Sequence, residues 1–110
     1  MSKGSWSVEV LDARVVAEIE ALPVDMRARL VRYGELISTF GIEALPRDAA
    51  KHLEGNLWEL RLTGRSGISR AIYVTAVGPR VVIVRVFVKK TQKTPRKELE
   101  LARDRAKEVK

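Results

Sequence analysis

The apolar positions of this chain follow two periods. Trp6, Val8 and Val10 alternate with Ser5, Ser7 and Glu9, the period of two that a half-buried strand requires. Asp12 can cap a short helix, in which Val15, Val16, Ile19 and Leu22 share one face. Pro23 interrupts that pattern. Met26, Leu30, Tyr33, Ile37 and Phe40 then recur at steps of four, three, four and three, a single stripe that Gly41 ends. The two segments predict a helical hairpin. Residues 41–56, punctuated by Pro46, Gly55 and Asn56, read as a loop.

Three strands are expected next. Over Leu57–Thr63, Trp58, Leu60 and Leu62 take one face while Glu59 and Arg61 take the other. Gly64–Gly67 is a turn, Ile68–Val77 a strand, and Gly78-Pro79 a second turn. Val81–Val88 is apolar on both faces apart from Arg85, the mark of a covered central strand. Thr94-Pro95 reads as N-cap and first residue of a final helix, with Leu99, Ala102, Ala106 and Val109 on one face. The order β-α-α-β-β-β-α predicts an α+β fold. It would be a small twisted antiparallel sheet with an N-terminal helical hairpin and a C-terminal helix, the helices packed on one side. With no repeat, linker or low-complexity stretch, residues 1–110 form a single domain.

Charge sharpens the picture. From Arg80 to Lys110, eleven Lys and Arg stand against four Asp and Glu, while residues 1–79 hold ten of each sign. The C-terminal part therefore carries the whole net charge of +7. A covered strand, the basic turn Lys89–Pro95 and a helix make a place to hold a polyanion. The chain has no cysteine, so disulfides and thiolate metal sites are excluded, which fits a reducing cytosol. Met1–Trp6 lacks the apolar core of a signal peptide, and the apolar run near residues 81–88 is too short to span a bilayer, so no membrane is expected.

Most familiar chemistry is also excluded. One histidine, His52, allows no histidine metal cluster and no paired-histidine acid and base; a lone loop histidine is more often structural. Gly64 and Gly67 lie in a hairpin turn with no helix after them, so no phosphate loop is present. What remains is a cationic set on and beside the sheet: Arg61, Arg70, Arg85, Lys89, Lys90 and Lys93. Tyr73 lies among them, suited either to stacking on a base or to packing in the core. RNA can be cut without a metal when its 2′-hydroxyl is the nucleophile. The site must then supply a base, an acid for the leaving 5′-oxygen, and positive charge on the phosphorane-like transition state. Arginine supplies that charge, and a lysine becomes an acid or base when neighbouring cations lower its pKa.

The runs Leu57-Trp58-Glu59-Leu60-Arg61-Leu62, Arg70-Ala71-Ile72-Tyr73 and Phe87-Val88-Lys89-Lys90-Thr91-Gln92-Lys93-Thr94-Pro95, with Glu98, Ala102 and Arg103 on the following helix, resemble a known pattern. It is similar to the phage-derived branch of the RelE/HigB toxin group, in the RelE/ParE superfamily, over residues 8 to 107 or so. The resemblance implies a cytoplasmic toxin of a type II toxin–antitoxin pair that cuts messenger RNA on the translating ribosome, without metal or small-molecule cofactor. It also implies a helix-turn-helix antitoxin as partner. By this resemblance Arg61, Arg70, Tyr73, Lys89 and Lys90 are the expected catalytic set, with Arg85, Lys93, Arg96 and Lys97 on the RNA. Two alternatives stand beside it. One is a gyrase-inhibiting toxin of the ParE arm, since fold alone does not fix function. The other is a non-catalytic RNA- or ribosome-binding module.

Overall fold

The computed structural model describes residues 6–76, 78–90 and 92–110. Ser5, Val77 and Thr91, which the sequence assigns to the first strand, the third strand and the basic turn, lie outside the described residues. The elements run β1 (Ser7–Val10), α1 (Ala13–Glu20), α2 (Val24–Phe40), a 3-10 turn (Ile42–Ala44), β2 (Ala50–Glu54), β3 (Leu57–Gly64), β4 (Gly67–Ala76), β5 (Arg80–Lys89) and α3 (Arg96–Ala106). The α+β class and the helical hairpin stand as expected. Asp12 caps α1 by accepting from the Arg14 N–H. Gly41, at φ 95°, ends α2 with its N–H on the Ile37 carbonyl, in a conformation open to glycine.

Three details depart from the expectation. The sheet is mixed, in the order β1-β5-β4-β3-β2, because β1 pairs in parallel with β5 while the other neighbours are antiparallel. A chain that leaves β1 into a helical hairpin can return to the sheet in either direction, and periodicity carries no sign for it. Second, the supposed loop 41–56 contains the edge strand β2. Its sequence, Ala-Lys-His-Leu-Glu, has no fully buried residue and lacks apolar alternation, as suits an edge. Third, the helices do not share one side. The hairpin covers one face of the sheet, and α3 covers the other.

The two faces make two cores. Under the hairpin, Val15, Met26, Leu30, Tyr33 and Ile37 pack on Leu60, Leu62, Tyr73, Val81, Ile83 and Val86. On the far face Ala102 of α3 meets Leu57, Ile72, Val74, Val82, Val84 and Phe87. β5 supplies residues to both, which is why its sequence is apolar throughout. A bulge interrupts β5: Ile72 faces Arg85 and Tyr73 faces Ile83, leaving Val84 without an opposite residue.

Ion pairs lock α3 to the rest. Arg85 meets Glu98 of α3 through two hydrogen bonds, 2.6 and 3.2 Å, and Glu18 of α1 at 2.7 Å. Arg105 reaches the same Glu18 and the Val84 carbonyl, at 2.8 and 2.9 Å. No helix of the described residues is long and apolar enough to cross a membrane.

Candidate functional site

The pairing of β3 with β4 sets Arg61 directly opposite Arg70. The pairing of β4 with β5 sets Arg70 opposite Phe87 and Ile68 opposite Lys89. Arg61, Arg70 and Lys89 thus reach one corner of the α3 face, where the chain leaves β5 for the basic turn. With Lys90, Gln92, Gly67 and Ile68 they line an open cleft of about 450 Å³. Four of the five residues expected to be catalytic are brought together there.

Burial and neighbouring charge tune this cleft. Arg70 is only 5% exposed, and its Nε lies 3.4 Å from Glu59 Oε1. Burial lowers the Arg70 guanidinium from its ordinary value; Glu59 opposes that shift and Arg61 adds to it. Arg70 Nε has no hydrogen-bond partner among the described residues. Lys89 is half-buried, and its amine is held below the ordinary lysine range. Desolvation is the main cause. Glu59 raises it, while Arg70, Lys51 and Arg61 push it down. A lysine amine with a lowered pKa beside two guanidinium groups is a set suited to metal-free phosphodiester chemistry.

Tyr73 is not part of the cleft. It follows Arg70 by three positions, and the pleat turns it to the opposite face. There it faces Trp58 and Ile83 across the strands and is 1% exposed in the hairpin-side core. Burial pushes its phenol up to about 12. Arg85, expected on RNA, is instead consumed by Glu98 and Glu18, beside the Phe87 ring. The bulge at Val84 turns it onto α3. Lys93, Arg96 and Lys97 are exposed beyond the cleft, and Arg96 lies 3.8 Å from Glu100. His52 sits on β2, not in a loop; its Nε2 lies 2.8 Å from the Gly55 carbonyl and its ring 5.0 Å from that of Trp58, away from the cleft.

Two contributors were not expected from the sequence. Lys51 lies opposite Glu59 and acts on Lys89, a role hidden while β2 read as loop. Glu59 was visible only as a polar-face residue, yet it is 2% exposed. Thr94 does not cap α3: Pro95 occupies the cap position, and the Thr94 hydroxyl donates to Glu59 Oε2. Among the described residues no group of three His, Asp or Glu side chains could hold a metal ion.

A hairpin on one face of this five-stranded sheet, a terminal helix on the other and a cationic corner between them define a RelE-like α+β protein. The archaeal RelE–RelB complex from Pyrococcus horikoshii OT3 contains a chain of the same fold, with a TM-score of 0.59 and 21% identity over 76% of this chain and 94% of that one. The chain belongs to the family described as phage derived protein Gp49-like (DUF891), whose model matches residues 17–107 and so includes every cleft residue. No curated protein sequence matches it.

Proposed function

We propose that this chain is the toxin of a type II toxin–antitoxin pair and a ribosome-dependent messenger-RNA endoribonuclease. The observation that carries the reading is Lys89: a half-buried lysine with a lowered pKa that lines a basic cleft with Arg70 and, one strand farther, Arg61. The neutral Lys89 amine takes the proton of the RNA 2′-hydroxyl, whose oxygen attacks phosphorus. The bond from phosphorus to the 5′-oxygen breaks, and the Lys90 ammonium gives that oxygen a proton. The products are a 2′,3′-cyclic phosphate and a 5′-hydroxyl. Arg61 and Arg70 spread positive charge over the phosphorane oxygens.

The exposed Lys93, Arg96 and Lys97 continue the basic surface along the start of α3 and suit ribosomal RNA, which offers phosphate at high density. RelE occurs in complex with RelB in the archaeal relative. By analogy this chain has an antitoxin partner, of helix-turn-helix type, that would cover the same surface with opposite charge. Pulse-labelling after induction in bacteria tests the reading. Protein synthesis should stop first, with DNA synthesis following. Arrest of DNA synthesis first, with translation intact, would favour a gyrase inhibitor instead.

A further inference from the structure

Beneath the cleft, Glu59 joins two parts of the molecule that the reaction does not obviously need joined. One carboxylate oxygen lies 3.4 Å from Arg70 Nε; the other accepts the hydroxyl of Thr94. Glu59, Arg70 and Thr94 are all buried. Thr94 immediately precedes Pro95, which occupies the cap position of α3. Farther along, Glu98 and Arg105 tie that helix to β5 and α1.

A buried carboxylate and a buried guanidinium each need partners, and each is costly if the other leaves. Glu59 is too deep to touch a phosphate in the cleft, and it lies below the proton-transfer groups rather than among them. We propose that Glu59 is a positioning residue that makes the cleft depend on the seating of α3: it holds Arg70 from beneath, and is itself held by Thr94 at the head of the helix. The proposal rests on the reading of the cleft as the site of RNA cleavage. Unseating α3 removes the Thr94 hydroxyl, opens Glu59 to water and frees the Arg70 side chain. Activity would fall although every group that touches RNA is still present, because Arg70 is no longer held in place.

The groups facing Lys89 enter the same linkage. They are Arg61 and Glu59 on β3, Arg70 on β4 and Lys51 on β2, with Lys90 next in sequence. Glu59 is the acid of this set. Removing its charge should lower the amine of Lys89 further and move the rising limb of the pH–rate profile to lower pH.

Thr94→Val and Thr94→Ser give the cleanest test. Valine keeps the shape at the head of α3 and loses the hydroxyl; serine keeps the hydroxyl. Two readouts are followed on the full chain: hydrogen exchange of the Arg70 Nε–H by NMR, and cleavage of messenger RNA on programmed ribosomes. In Thr94→Val the exchange should quicken by about tenfold or more. Its kcat should fall by about tenfold while KM stays within about twofold. Thr94→Ser should restore both. Glu59→Gln, where it folds, should show the same losses and the shifted pH limb.

Wild-type exchange and kcat in Thr94→Val would overturn the proposal. So would equal losses in Thr94→Val and Thr94→Ser, which would assign Thr94 to packing alone. Should the wild-type chain cut no RNA, the proposed reaction fails. The exchange measurement still decides whether Thr94 and Glu59 hold Arg70.

Discussion

Arg61 and Arg70 stand directly opposite one another on β3 and β4, two guanidinium groups on one face of the sheet. Like charges in that relation destabilise a sheet by roughly 0.2–1 kcal/mol. Glu59 lies under Arg70 but not under Arg61, so the repulsion is only partly compensated. Such an arrangement is expected where function outweighs stability. Arg61→Ala should therefore leave the chain as stable as before or more stable, by up to about 1 kcal/mol, while abolishing growth inhibition. Urea unfolding beside a growth assay checks both halves. A clear loss of stability in Arg61→Ala would mean the arginine supports the fold.

The second prediction concerns pH. Desolvation and neighbouring cations hold the Lys89 amine below its ordinary value. Between the folded and unfolded pKa values the unfolded chain binds more protons, so stability rises with pH across that window. Cleavage that needs the neutral amine also rises with pH, through the lowered folded value. Lys89→Arg keeps the positive charge but cannot deprotonate near neutrality. It should cut at least about a hundredfold more slowly and show no such rise. Single-turnover cleavage from about pH 6 to 9 measures it. A Lys89→Arg variant with the wild-type profile would leave Lys89 only as a fixed charge.

The ion-pair cluster away from the cleft should matter to stability. Glu18 accepts from Arg85, Arg105 and the Val86 N–H. Glu18→Ala takes one partner from each of two largely buried guanidinium groups, leaving Arg85 with Glu98 and Arg105 with the Val84 carbonyl, and should cost about 1–3 kcal/mol. Chemical denaturation gives the value directly. A change below about 1 kcal/mol would show that these charges find other partners.

Lys90, Arg96 and Lys97 are exposed, so replacing all three by Ala should change stability by less than about 0.5 kcal/mol each. Ribosome binding should weaken. Its log–log salt dependence should flatten by about 0.7 to 0.9 for each phosphate that is no longer neutralised. An unchanged slope would place the RNA on another surface.

The parts of the fold legible in the sequence were those where one periodicity is buried on one side. The stripe Met26, Leu30, Tyr33 and Ile37 and the alternation of Leu60 and Leu62 are of that kind and occupy the core as expected, whereas Phe40 and Trp58, expected on the same faces, are exposed. The edge strand β2 was illegible because it buries little, and missing it concealed Lys51. Arg61 and Arg70 were readable as partners because β3 and β4 join through a short turn that sets their register. Tyr73 misled: its neighbours are apolar on both faces, so the sequence held no sign of which face it took. Arg85 misled for a different reason, since the acids that bind it, Glu18 and Glu98, come from two helices distant in sequence. Buried Glu59 accepts from Thr94, thirty-five positions away, and local pattern carries no trace of that hydrogen bond.

The most direct test of the account is the chemistry of the cut ends. Purified chain is added to ribosomes translating a defined messenger RNA, and the fragments are read by mass spectrometry. The account predicts a 2′,3′-cyclic phosphate on the upstream fragment and a 5′-hydroxyl on the downstream one. These should form only when the ribosome is present, and should be lost in Lys89→Arg. Intact messenger RNA under these conditions, or fragments ending in a 3′-hydroxyl and a 5′-phosphate, would contradict it.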